Sequence, residues 1–120
     1  MKIAVTAQGK ELSSRVDLRF GRAKCIILYD TETRNFEVHD NAVNLTLPQG
    51  AGIQTASNIA ELGGEAVITG NVGPNAFKTL SAAAVQVFLA GDATVQDAIE
   101  QLGEGELERV DQANVEGHWI

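Results

Sequence analysis

Apolar residues in this chain come in short runs separated by polar or glycine-rich turns, and the spacing within each run predicts its element. Residues 2–7 (Lys-Ile-Ala-Val-Thr-Ala) are short, continuous and β-branched, which predicts a buried strand. Residues 8–19 are polar and predict a loop. Residues 23–30 (Ala-Lys-Cys-Ile-Ile-Leu-Tyr-Asp) predict a second strand, and residues 31–34 a turn. Residues 35–40 alternate, with Phe36 and Val38 on one face and Glu37 and His39 on the other. That is the pattern of a half-exposed edge strand in a hairpin with its predecessor.

A loop over 41–50 leads into a helix at about 52–62, stopped by Gly63-Gly64. Residues 65–69 predict a fourth strand. Pro74 sits well in a first helical turn, where its missing N–H costs nothing, so a second helix runs to about residue 83. Residues 85–90 predict a fifth strand. Thr94-Val95-Gln96-Asp97 reads as a capping box, and Val95, Ala98, Ile99 and Leu102 keep helical spacing, giving a third helix. Residues 104–120 read as an acidic, loosely held tail in which Trp119 could dock. The division expected is an α/β domain over 1–103 and a tail over 104–120.

The order β-β-β-α-β-α-β-α implies an α/β layer structure with a mixed five-stranded sheet and three helices. The hairpin supplies antiparallel strands and the later β-α-β crossovers parallel ones. If strand four pairs beside strand one, the sheet order is 3-2-1-4-5 and reverses between those two. Open α/β sheets bind ligands outside the carboxyl ends of the strands at such a point. The loops leaving strands one and four, 8–19 and 70–75, therefore line the expected crevice.

Composition narrows the function classes. The chain has 120 residues, enough for one core, and a net charge of −7, which argues against nucleic acid and anionic membranes as partners. No apolar run reaches the length of a membrane span, and no signal-peptide pattern opens the chain, so a cytoplasmic location is expected. A monomer or weak dimer is expected. Charge is unevenly placed: Lys10, Arg15, Arg19, Arg22 and Lys24 cluster early, whereas beyond Gly91 the only Lys or Arg among many acids is Arg109. Such a patch can hold a small anion on an otherwise acidic protein.

Three glycine-bearing turns stand out: Asp17-Leu18-Arg19-Phe20-Gly21-Arg22-Ala23, Gln49-Gly50-Ala51-Gly52-Ile53, and Gly70-Asn71-Val72-Gly73-Pro74-Asn75-Ala76. Glycine lets a ligand approach the backbone, and helix N-termini offer unpaired N–H donors with partial positive charge. Arg19 and Arg22 add fixed charge and directed donors, unless they are merely solvated or paired with Asp17. Phe20 reads more readily as a core plug than as a ligand contact. Neither a Walker loop nor a Gly-x-Gly-x-x-Gly fingerprint is present, which disfavours a nucleotide. The lone cysteine, Cys25, lies on an apolar strand and reads as a small core residue. His39 reads as solvent-exposed, and His118 lacks visible partners for a metal. The acids do not converge as a two-metal nuclease requires, and no catalytic constellation is supported.

Phe20-Gly21-Arg22-Ala23, Asn41, Gly50-Ala51-Gly52 and the Gly70–Ala76 turn occur in the order seen in the dinitrogenase iron–molybdenum cofactor biosynthesis family, which the chain resembles over about residues 1–103. The resemblance implies a ribonuclease H-like fold and the binding or carriage of metal–sulfur clusters without catalysis. Within the family, Val16-Asp17-x-Arg19-Phe20-Gly21-Arg22 is most similar to the branch of orange proteins from sulfate-reducing bacteria. That likeness implies a molybdenum–copper sulfide cluster held noncovalently. An iron–sulfur type cluster of the nitrogenase-cofactor kind is the alternative. Many members carry a histidine before Phe-Gly-Arg, where this chain has Arg19. Arginine there fits outer-sphere binding of a sulfide-capped anion, so no direct metal ligand is expected. The alternative function is a regulatory interaction module whose acidic C-terminal face docks a protein partner, and the resemblance implies a Mrp/MinD-type ATPase in that role. The expected cluster site comprises Arg15, Arg19, Phe20, Gly21, Arg22, Gly50, Ala51, Gly52, Asn71, Gly73 and Asn75, with Lys10 and Arg15 steering the anion inward.

Overall fold

The computed structural model describes residues 1–41 and 50–114. Its strands are β1 (Lys2–Ala7), β2 (Cys25–Asp30), β3 (Phe36–Asp40), β4 (Ala66–Thr69), β5 (Gln86–Leu89) and β6 (Glu108–Val110). The helices are α1 (Ala51–Glu61), α2 (Pro74–Ala82) and α3 (Val95–Gly103). All six strands form one sheet in the order β3-β2-β1-β4-β5-β6. β1 runs parallel to β4 and β4 to β5, whereas β1–β2, β2–β3 and β5–β6 are antiparallel. The mixed α/β arrangement and the order 3-2-1-4-5 expected from the sequence are both present.

The two sheet faces are covered separately. On one face Ala4, Ile26, Leu28, Val67 and Val87 pack under Ala56 and Ile59 of α1 and Ala76 and Leu80 of α2. On the other, Ile3, Val5, Cys25, Ile27 and Ile68 pack against Val95 and Ala98 of α3. Strand side chains alternate between the two clusters, as a period of two requires when both faces are buried. Cys25 is buried in the second cluster, which agrees with its reading as a core residue. β3 is the sheet edge, as its alternation predicts, but Phe36 and Val38 are exposed as well as Glu37. With no strand beyond it among the described residues, this edge leaves even its apolar side chains incompletely covered.

Several expectations are corrected. Among the described residues the sheet has six strands rather than five. Residues 108–110, expected within a loose tail, pair with β5 through Val87–Val110, Phe88–Arg109 and Leu89–Glu108. The signal was weak because β6 has three residues with one apolar side chain among them. Further on, Asn114 donates its side-chain amide to Gly70 O (2.9 Å) and accepts from Val72 N (2.8 Å), tying the segment to the loop after β4. His118 and Trp119 lie outside the described residues, as do residues 42–49.

Residues 8–19 are more than a polar loop. They fold back on the sheet, with Val16 buried and its N–H donating to Ala93 O at 2.9 Å. Isolated bridges join Ala7 to Val16 and Arg15 to Thr94. The expected strand start at residue 23 moves to Cys25, because Phe20–Arg22 forms a 3₁₀ turn instead. Phe20 is fully buried and anchors that turn in the core. α3 begins as predicted, with the Asp97 N–H donating to the Thr94 hydroxyl at 3.1 Å.

Asn41 staples the 3₁₀ turn to α1. It is 1% exposed, donates its side-chain amide to Ala23 O (2.9 Å) and accepts from the Thr55 hydroxyl (3.2 Å). Replacing it with alanine removes both of these bonds from a buried site, at about 1–3 kcal/mol. Asn41→Ala is therefore expected to lower the denaturation midpoint in urea with an unchanged slope. An unaltered midpoint would show that the staple contributes nothing.

Candidate functional site

Reversal of sheet order between β1 and β4 separates the loops that leave these strands and opens a cleft at their carboxyl ends. Chain connectivity brings the loop after β1 back across the loop after β4. Asn71 N donates to Leu18 O (2.7 Å), the Asn71 side-chain amide donates to the same oxygen (3.1 Å), and Phe20 N donates to Asn71 O (3.2 Å). Gly70 has to be glycine for this crossing, since a Cβ there would lie 2.6 Å from Leu18 Cβ. Gly21 is constrained in the same way: its Cβ would stand 2.7 Å from Gly52 N at the start of α1. Here the glycines admit one protein loop against another.

A cleft of about 520 Å³ lies beside this crossing, lined by Gln8, Asp17, Leu18, Arg19, Arg22 and Lys24. Its size suits a compact ligand. Three cationic side chains border it, and Leu18 supplies an apolar wall. Arg19 and Arg22 bracket the 3₁₀ turn, whose own hydrogen bond runs from Arg22 N to Arg19 O at 3.2 Å. The buried Phe20 between them fixes the turn while both guanidinium-bearing residues stay outside the core. Arg19 retains a long pairing with Asp17, Nε to Oδ1 at 3.8 Å, with 60% of its side chain exposed. Arg19 thus pairs at long range with Asp17 and borders the cleft at the same time.

The structure sorts the expected residues. Arg19 and Arg22 line the cleft together. Phe20 and Gly21 support the turn from beneath, both buried. Ala51 and Gly52 are buried against the turn, so the start of α1 braces it, while Gly50 is exposed in a left-handed conformation. Asn71 holds the loop crossing through its bonds to Leu18 O. Gly73 is buried as the residue before α2, and Asn75 is exposed within the first turn of that helix. Arg15 points to Asp92 at 3.5 Å and is not among the cleft-lining residues.

Three cleft residues were not singled out from the sequence: Gln8, Leu18 and Lys24. Gln8 follows the last residue of β1, which is where the switch-point rule places a ligand-facing side chain. Lys24 stands two residues beyond Arg22 at the extended entry to β2, and its membership of the early basic cluster was the available signal. Asp17 is discussed below. Among the described residues no group of three or more His, Cys, Asp or Glu side chains is placed to hold a metal ion. His39 lies on the edge strand, 3.1 Å from Glu37. At the C-terminal end of α3, the Glu104 carboxyl is raised above its ordinary value because Glu106 hydrogen-bonds to it and repels its charge. None of the helices among the described residues is long and apolar enough to cross a membrane.

Comparison with known proteins places the chain. Its fold superposes on the apo form of the orange protein from Desulfovibrio gigas with a TM-score of 0.92 and 38% identity, covering 95% of this chain and 96% of that one. A putative NifB protein from Thermotoga aligns with a TM-score of 0.85 and 41% identity, over 97% and 98% of the two chains. An uncharacterized protein of Methanocaldococcus jannaschii is 30% identical over 112 residues, 91% of each chain. The family model for the dinitrogenase iron–molybdenum cofactor matches residues 1–105. The chain belongs to the dinitrogenase iron–molybdenum cofactor family.

Proposed function

We propose that this protein binds and carries an anionic metal–sulfur cluster in the cleft between the loops after β1 and β4, with molybdenum–copper sulfide as the cargo. Binding or carriage of a metal cluster is the role that the family and its orange-protein relative support in general. The observation that carries the local reading is the convergence of Arg19, Arg22 and Lys24 on one cleft of a protein whose net charge is −7. The donor set suits the cargo. Guanidinium and ammonium groups donate N–H hydrogen bonds to sulfide caps without entering the metal's coordination sphere, and charge on both partners strengthens those bonds. The support from Leu18 is apolar, which matches large, weakly hydrated sulfur atoms better than water-seeking oxyanions.

Three roles follow for the chain's own residues. Arg19 and Arg22 neutralise the cluster from the two ends of a rigid turn. Lys24 adds a third charge from the entry of β2. Phe20, Gly21, Gly52 and Asn71 hold the turn in place, so that little ordering is left to be lost when cargo binds. The protein acts as a carrier in this reading, with no bond made or broken by a side chain.

The test is reconstitution of the purified protein with tetrathiomolybdate and a copper(I) salt, followed by gel filtration and elemental analysis. Visible charge-transfer bands that co-elute with stoichiometric Mo and Cu are expected. Retention of iron in place of these metals, after parallel reconstitution with iron and sulfide, would assign the cargo to the nitrogenase-cofactor type. Failure to retain any of them would remove the carrier reading.

A further inference from the structure

The cleft contains one residue that a simple anion site should lack. Asp17 is a carboxylate at the wall of the same cleft as Arg19, Arg22 and Lys24. It is fixed there by its backbone. Asp17 N donates to Thr6 O at 2.7 Å, and the Thr6 hydroxyl donates to Asp17 O at 2.6 Å. The Thr69 hydroxyl lies 2.8 Å from that of Thr6 and 3.5 Å from Asp17 O, so both strands at the switch point grip the residue. Its side chain is held too, since Oδ1 accepts from Arg19 N at 3.0 Å and lies 3.8 Å from Arg19 Nε. About a tenth of the side-chain surface remains open. With its backbone bonded to β1 and β4 and its Oδ1 bonded to Arg19 N, the carboxylate is held at the cleft wall.

A fixed negative charge at that wall repels any ligand that is uniformly anionic. It favours one that is anionic overall yet turns an electropositive atom toward Asp17. We infer that Asp17 sets the selectivity of the cleft, disfavouring a bare thioanion and favouring one that carries a cationic metal centre on the side facing the carboxylate. The inference rests on the cluster-carrier reading above and adds to it the polarity of the cargo. Asp17 is a positioning residue for Arg19 as well, and the two roles make opposite predictions when its charge alone is removed.

Asp17→Asn keeps an acceptor for Arg19 N and deletes the charge. Wild type and variant are titrated with tetrathiomolybdate alone and with tetrathiomolybdate plus copper(I), at low and moderate salt, with amide spectra to verify the fold. The variant is expected to bind bare tetrathiomolybdate about tenfold tighter, on the order expected for removing one like charge from a partly exposed site, with a smaller gain at higher salt. Its preference for the copper-bearing anion over the bare one should fall by a similar factor. A purely structural Asp17 would instead give weaker binding of both anions and an unaltered preference, which would overturn the inference while leaving the carrier reading in place. Wild type offers a second arm that needs no variant: equal affinity for the two anions would also overturn it. Absence of binding to either anion by both proteins would defeat the carrier reading and this inference together.

Discussion

Arg22→Ala is expected to weaken cluster uptake by about 10–100-fold while leaving the fold intact. Arg22 closes the 3₁₀ turn and borders the cleft, and its side chain is only partly buried. Loss of a hydrogen bond to a charged group costs about 1.5–3 kcal/mol, which converts to that range of affinity. Burial of Phe20, the Arg22 N to Arg19 O bond and contact with α1 all support the turn and are all retained in Arg22→Ala. Titration with tetrathiomolybdate and copper(I) reads the affinity, and a thermal melt reads the fold. Arg22→Lys separates charge from shape. A lysine keeps the charge but loses the directed fork of donors, so partial recovery is expected. Undiminished uptake by Arg22→Ala would remove this residue from the site.

Phe20→Ala is expected to have the largest effect on stability. The ring is completely buried in the cluster that joins the sheet to α1 and α2. Truncating a buried phenylalanine costs about 3–5 kcal/mol, a large share of the roughly 5–15 kcal/mol that holds a domain of this size. The melting temperature should fall by about 15 °C. Cluster affinity should fall with it even at temperatures where the variant is folded, because Arg19 and Arg22 flank the residue and lose their rigid mount. Phe20→Leu refills much of the cavity and should recover most of both properties. A stable Phe20→Ala protein with normal uptake would show that the turn is positioned by its glycine contacts alone.

Much of this architecture was legible in the sequence because the hydrophobic periods are clean. β1, β2, β4 and β5 each have a short apolar run, and α2 and α3 announce their starts with Pro74 and Thr94. Strand order could be inferred from connectivity, and with it the cleft between the loops after β1 and β4. What the sequence hid is tertiary in origin. β6 carries a single apolar residue and exists because β5 offers a free edge. The loop over 8–19 looks polar, yet Val16 and Asp17 are buried in it because the chain folds back onto Thr6 and Ala93.

The site was partly legible for the same reason. Arg19 and Arg22 could be picked out from their spacing around Phe20-Gly21. Glycine, however, signals close approach without saying of what. Gly21 and Gly70 are needed because another stretch of protein backbone passes them, at Gly52 and Leu18 respectively. Charge was equally ambiguous. Arg15 belongs to the same basic cluster as Lys24, but it reaches to Asp92 while Lys24 borders the cleft. Linear proximity could not separate them.

The most direct test of the account is to map the cluster on the protein by two-dimensional amide NMR of the ¹⁵N-labelled chain, titrated with tetrathiomolybdate and copper(I). The account predicts saturable shifts concentrated at Gln8, Leu18, Arg19, Arg22 and Lys24, with β3 and β6 unmoved. Shifts confined to a different face, or none while the metals co-purify with the protein, would contradict the placement of the cluster in this cleft.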